Sequence, residues 1–215
     1  MTSVDIHEEK ILILDFGSQY TQLIARRVRE LKVYCEIHPC TESIVKIREF
    51  SPKGIILSGG PSSVTEKDAP LVPTELFDLE IPFLGICYGM QLLTFLLGGK
   101  VGKAERREYG HAMLQIDDNT DLFSGFETGE GSLNKVWMSH GDRIEAAPPG
   151  FIPIAHTENS PVAAMKDKSG QFYAVQFHPE VVHTPRGKEI LENFLFRICD
   201  LRPLWTAKSY IDMAI

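Results

Sequence analysis

The stretch Gly85-Ile86-Cys87-Tyr88-Gly89 sets a thiol between two glycines, where an apolar run meets a segment with helical spacing. Small flanking residues permit a tight strand-to-helix turn that lifts one side chain above a sheet edge, the thiol counterpart of a nucleophile elbow. A thiol there also faces the partial positive charge of a helix N-terminus, which favours thiolate. The pentapeptide alone reads equally well as a buried cysteine ending a parallel strand, because free cysteine is among the most buried residue types.

A second signal lies far downstream, in Gln176-Phe177-His178-Pro179-Glu180. In an extended chain residues two apart share a side, so the Glu180 carboxylate can accept from one ring nitrogen of His178. The other nitrogen is then held toward a nucleophile, as in a catalytic triad. Pro179 cannot donate to a sheet ladder, which puts this piece at a strand end or edge. By itself it would be a turn histidine beside a solvated glutamate. Paired with the cysteine elbow, it has the shape of a Cys-based acyl-transfer site. A third stretch, Leu57-Ser58-Gly59-Gly60-Pro61-Ser62, offers backbone amide hydrogens of the kind a tetrahedral oxyanion needs. It lacks the Lys-Ser or Lys-Thr of a phosphate loop. A plain turn accounts for it as well.

These groups need a scaffold. The continuous apolar run over 10–15 predicts a strand buried on both faces, and further strands are predicted over 33–37, 54–58 and 81–86. Apolar spacing predicts helices over 19–31 and 88–97, the second closed by Gly98-Gly99. Strands alternating with helices imply a parallel sheet with right-handed crossovers. From 100 to 176 the pattern changes to short β-like pieces (112–116, 136–138, 152–156 and 172–177) between Gly, Pro and Asp turns. A last helix is predicted over 186–198. The expected fold class is α/β: an open, mainly parallel sheet flanked by helices, with an antiparallel β extension.

Composition narrows the partners. Twenty-two basic against 29 acidic residues leave a formal charge of -7, which disfavours a general nucleic-acid or anionic-membrane surface. No apolar run reaches the roughly 18 residues of a membrane span, and the polar start of the chain has no signal-peptide stretch. Cys35, Cys40, Cys87 and Cys199 show neither metal-type pairing nor the density of a disulfide framework, so a reducing, cytoplasmic setting is expected.

Together, Gly85-Ile86-Cys87-Tyr88-Gly89-Met90-Gln91, Phe177-His178-Pro179-Glu180 and Ser58-Gly59-Gly60-Pro61 resemble the triad-type (class I) glutamine amidotransferases. Asp15-Phe16-Gly17-Ser18-Gln19-Tyr20, Pro61-Ser62-Ser63-Val64, Arg107-Glu108-Tyr109-Gly110 and Trp137-Met138-Ser139-His140-Gly141-Asp142 are similar to the amidotransferase domain of GMP synthetases. The resemblance covers about residues 10–201 and implies a flavodoxin-like fold. It implies Cys87 as nucleophile, His178 as base and then acid, and Glu180 as the residue that orients it. The backbone N–H groups of Gly60 and Tyr88 would form the oxyanion hole, and Gln91 would help place glutamine. The loop Ser139-His140-Gly141-Asp142 would face the substrate's α-amino and α-carboxylate end, unless Asp142 signals to a partner domain. A polar turn between β-pieces is the alternative for Ser139 and His140, and His111, His156 and His183 receive no role.

The resemblance implies no metal and no organic cofactor for this half. It implies ammonia delivery to a synthetase (ATP-pyrophosphatase) domain that aminates xanthosine monophosphate (XMP) with ATP and Mg2+, in an enzyme expected to be a homodimer. That domain's Ser-Gly-Gly-Val-Asp-Ser loop occurs nowhere in the chain. The expected organisation is a flexible N-terminus over 1–9, the amidotransferase domain over 10–200 and the start of a linker over 201–215, as in an N-terminal fragment of a two-domain enzyme. Two other readings stay open: a γ-glutamyl hydrolase or cysteine peptidase of the same fold, and a docking or regulatory module with a vestigial site.

Overall fold

The computed structural model describes residues 9–129 and 131–206, with the backbone alone at 104–107. The first apolar run is strand β1 (Lys10–Asp15), and its four central residues are buried. Its side chains alternate between two cores. Ile11 and Ile13 pack with Ile24 and Val28 of helix α1 (Thr21–Glu30), and Leu12 and Leu14 with Ile47 of helix α2 (Ile44–Phe50). A strand covered on both faces has no polar side, hence its unbroken apolar sequence. Strands β3 (Gly54–Leu57) and β4 (Phe83–Ile86) repeat the pattern, whereas β2 (Tyr34–Pro39), at the sheet edge, is more polar.

Among the described residues the sheet has nine strands in the order β2-β1-β3-β4-β9-β8-β7-β5-β6. The first five are parallel. Strand β9 (Phe172–Val175) runs parallel to β4 and antiparallel to β8 (Ala164–Asp167), so it joins the two halves. Beyond it β7 (Phe151–His156), β5 (Lys100–Ile116) and β6 (Leu133–Ala146) continue antiparallel. The chain steps from β1 outward to β2 and then back across to β3. This reversal opens a crevice at the carboxyl ends of β1 and β3, where open α/β sheets bind ligands. Helix α3 (Tyr88–Leu96) follows β4 directly, and α4 (Gly187–Asn193) continues into a π-helical turn over Phe194–Ile198.

The structure corrects the sequence reading at several places. Helix α2 was not expected; it is capped by the Ser43 hydroxyl, which accepts from the Lys46 N–H, and its one buried residue leaves little periodicity to read. Strand β8 is the four residues Ala-Met-Lys-Asp, with no β-branched residue to mark it. The expected pieces at 112–116 and 136–138 are parts of much longer strands, whose polar outer stretches hide the alternation. Residues 139–142 are accordingly strand rather than loop: Tyr109 pairs with Ser139, Glu108 with His140 and Lys103 with Asp142, across an irregularity in β5.

At the termini, Glu9 is buried and accepts from Arg202 Nε at 2.6 Å, so residue 9 is tied down rather than part of a loose arm. Trp205 is half-buried, and its backbone N–H donates to Lys32 O at 2.7 Å. The rest of the two expected terminal segments, 1–8 and 207–215, lies outside the described residues. No helix among the described residues is long and apolar enough to cross a membrane.

Candidate active site

At the β4–α3 junction Cys87 takes φ 53° and ψ -102°. Positive φ is costly for a residue with a side chain and persists only where the surroundings over-determine it. The surroundings here are backbone. A Cβ on Gly85 would lie 2.7 Å from the Gly89 backbone, and one on Gly89 only 2.4 Å from the Leu57 carbonyl oxygen. The two glycines thus let β3, β4 and the first turn of α3 close to backbone contact. The elbow is pinned from three sides. The Cys87 N–H donates to Val175 O at 2.8 Å, the Gly89 N–H to Ser58 O at 3.1 Å, and the Gln91 N–H to Cys87 O at 3.2 Å.

His178 stands across from the thiol. The chain bends after β9 instead of staying extended, yet His178 Nδ1 still lies 2.7 Å from Glu180 Oε1. Glu180 is wholly buried, and its backbone carbonyl accepts from Arg27 Nε at 3.1 Å. The His178 backbone N–H donates to Trp137 O at 3.0 Å, and the Thr184 hydroxyl donates to His178 O at 2.7 Å. Burial alone would push the imidazole down. The Glu180 charge and hydrogen bonds to Cys87 and Glu180 outweigh it and hold His178 well above its ordinary value. A Cβ at Gly59 would sit 3.1 Å from His178 Cε1 and 3.8 Å from Cys87 Cβ, so only glycine leaves the space between the two side chains open.

Two further groups bracket the sulfur. Gln176 Nε2 approaches Sγ at 3.7 Å, and the thiol donates to Ser139 O at the same distance. The other cysteines differ in setting. Burial pushes Cys35 up to about 11, against the opposing charge of Arg29, and also raises Cys40 and Cys199. Cys87 instead borders two clefts. One, of about 480 Å³, is lined by Gly60, Tyr88, Gln91, Ser139, His140, Gly141 and Asp142, so seven of the residues singled out from sequence converge on it. The other, of about 360 Å³, is lined by His178, Tyr20, Gly60 and Ser139 on the far side of the thiol. Gly60 has no room for a side chain, since a Cβ would lie 2.7 Å from Phe16 O.

Gln91 reaches the Asp142 carbonyl at 3.3 Å and so ties α3 to β6 across the cleft. Sequence reasoning missed Gln176 and Tyr20, whose ring meets His178 edge-on at 5.0 Å. Period-two spacing, which linked His178 to Glu180, would also have linked Gln176 to His178. Of the histidines without an expected role, His156 pairs with Asp117 at 2.8 Å, and His111 and His183 pack against Trp137. Among the described residues no cluster of three His, Cys, Asp or Glu could hold a metal.

The family model for class-I glutamine amidotransferases matches residues 12–198. The chain is 56% identical over 207 residues to a GMP synthase (glutamine-hydrolyzing) of Brachyspira hyodysenteriae, covering 96% of this chain and 40% of the relative. A GMP synthase of the same name from Heliobacterium modesticaldum is 55% identical, with 95% and 39% covered. The chain therefore spans about two fifths of the length of these relatives. A solved structure from Thermoplasma acidophilum, assigned as a GMP synthase subunit, superposes with a TM-score of 0.80 at 32% identity, covering 97% of this chain and 98% of that one. A glutamine amidotransferase structure from Thermotoga maritima superposes at 0.71 over 90% and 99%, and at 20% identity it speaks for the fold alone. The chain belongs to the class-I glutamine amidotransferase family.

Proposed function

We propose that the chain hydrolyses the side-chain amide of glutamine to glutamate and ammonia through a γ-glutamyl thioester on Cys87. The observation that carries this reading is the alignment of a strained-elbow thiol with a histidine whose second nitrogen is held by a fully buried glutamate. The Cys87 thiolate attacks the amide carbon, forming a C–S bond and placing negative charge on the oxygen. The backbone N–H groups of Gly60 and Tyr88 receive that charge, and one such donor contributes roughly 2.7–4 kcal/mol. His178, charged after taking the thiol proton, passes it to the departing nitrogen as the C–N bond breaks. Neutral His178 then takes a proton from water, hydroxide adds to the thioester, and glutamate leaves as the C–S bond breaks. Glu180 keeps the imidazole in the needed orientation.

In the larger cleft, Gln91 and residues 139–142 hold the amino-acid end of the substrate. Relatives that carry the name glutamine-hydrolyzing GMP synthase at over half identity support one destination for the ammonia. It aminates XMP in a synthetase partner that uses ATP and Mg2+, in the cytoplasm, where a catalytic thiol stays reduced. The test is glutamate release by the chain, alone and with that partner, ATP and XMP. Wild type should release glutamate in at least the second case. Cys87→Ala should not, while ammonia-dependent amination by the partner persists. Loss of both activities would show that Cys87 does not serve the glutamine half.

A further inference from the structure

His140 occupies an improbable place. Along β6 the inward positions are Val136, Met138 and His140, so an imidazole continues an apolar row with its side chain almost wholly buried. An unpaired polar group there costs free energy, and its pairing is specific. Nδ1 lies 2.8 Å from the Asp142 carbonyl oxygen, to which it can only donate. Nε2 lies 3.2 Å from Glu108 Oε2, close enough for an ion pair though out of line for a hydrogen bond. Glu108 comes from the residue directly opposite on β5, and it is buried too. Its carboxylate accepts from Thr157 Oγ1 at 3.1 Å and from the Ser160 hydroxyl, both in the β7–β8 connection. That connection is tightened by the Ser160 N–H, which donates to Thr157 Oγ1 at 3.0 Å. Burial would raise the Glu108 carboxyl; His140, Ser160 and Thr157 outweigh it and hold it below the usual carboxylate range.

We propose that Glu108 is a positioning residue for glutamine recognition: anchored by Thr157 and Ser160, it fixes His140, and through the His140–Asp142 contact it sets where residues 139–142 stand against Cys87. The chain of contacts ends at the site. The Asp142 carbonyl that His140 holds also accepts from Gln91, and Ser139 at the other end of the same stretch meets the sulfur. The register of β5 against β6 shifts between Lys103, which pairs with Asp142, and Glu108, which pairs with His140, so the ladder changes step within this part of β6. A side-chain anchor reinforces the strand at that step. None of Glu108, Thr157 or Ser160 belongs to the triad, so the expected effect falls on substrate recognition and not on the chemical step.

The inference rests on the glutaminase reading, and the experiment separates the two. Wild type, Glu108→Gln, Glu108→Ala and the exposed control Glu158→Gln are inactivated with increasing 6-diazo-5-oxo-norleucine, and alkylation of Cys87 by iodoacetamide is followed in parallel. In both Glu108 variants the half-saturating concentration of the diazo-ketone should rise about tenfold or more, a loss of ~1.4 kcal/mol in recognition. The limiting inactivation rate, the iodoacetamide rate and the melting behaviour should stay at wild-type values, and Glu158→Gln should match wild type throughout. Unchanged half-saturation in the Glu108 variants would overturn the proposal. So would a joint fall in recognition, alkylation and melting temperature, which would mark a merely structural role. A wild type that is alkylated but saturates with no concentration of the glutamine analogue, both alone and with the synthetase partner, ATP and XMP, would overturn the glutaminase reading, and this inference with it.

Discussion

In the parallel half of the sheet the functional groups stand where strands end; in the antiparallel half they stand within a strand. Cys87 follows β4, Gly59 and Gly60 follow β3, and His178 and Glu180 follow β9. Residues 139–142, by contrast, lie inside β6, the last strand of the sheet. Strand ends held between two layers of helices can carry backbone strain, as the positive φ of Cys87 shows. A strand interior cannot bend in this way, but it offers a straight row of carbonyls and amides suited to an amino acid's polar end. On the proposed function, chemistry falls to the first half and recognition to the second, with Gln91 and Gln176 between them.

Substitutions at strand ends should therefore lower the chemical step, and those touching β6 should weaken binding. Cys87→Ala gives the largest effect, a fall of about 10⁴-fold or more in kcat for glutamate release, because the triad acts as a unit. Glu180→Gln follows, with a loss of up to about 10⁴-fold in kcat while the substrate's half-saturation holds, read by steady-state kinetics.

Glu180→Gln also has a signature in stability. His178 is raised above its ordinary 6.5 in the folded chain. Its contribution to stability is therefore fully present below about pH 6.5 and is lost as pH rises through the elevated folded value. The melting-temperature gap between wild type and Glu180→Gln should be widest near pH 6 and narrow as the solution becomes more basic. A gap that grows with pH would reverse the sign of that account.

Gly89→Ala acts on the elbow itself. Its Cβ would press on the Leu57 carbonyl oxygen at 2.4 Å, and forcing atoms into a packed core costs about 1–3 kcal/mol. Thermal unfolding should register that loss, along with slower iodoacetamide alkylation of Cys87. The mildest change is Gln91→Ala. It removes one hydrogen bond to the Asp142 carbonyl, about 0.5–1.5 kcal/mol, and should raise KM several-fold with little change in kcat. A drop in kcat instead would place Gln91 with the chemical step and blur the division between the halves.

The same division governs what the sequence made legible. In the parallel half each strand is an unbroken apolar run because helices cover both faces, so β1, β3 and β4 stand out with nearly their true ends. The elbow was legible because close approach demands glycine on both sides of Cys87, and demand for glycine shows in the sequence. In the antiparallel half, β5 and β6 carry charged and polar residues along much of their length, so only a short apolar piece of each is recognisable, 112–116 at the end of β5 and 136–138 within β6. Residues 139–142 looked like a turn because a strand rung that contains glycine, serine and aspartate has turn composition. The pairing of Glu108 with His140 is hidden for another reason: it runs across strands, and register is not written in either strand alone.

The most direct test of the central claim is the intact mass after incubation with 6-diazo-5-oxo-norleucine, run beside Cys87→Ala and followed by mapping of the modified residue. The account predicts a single adduct on wild type, located on Cys87, and none on the variant. An equal adduct on Cys87→Ala would contradict it, as would no adduct on folded wild type both alone and with the synthetase partner supplied with ATP and XMP.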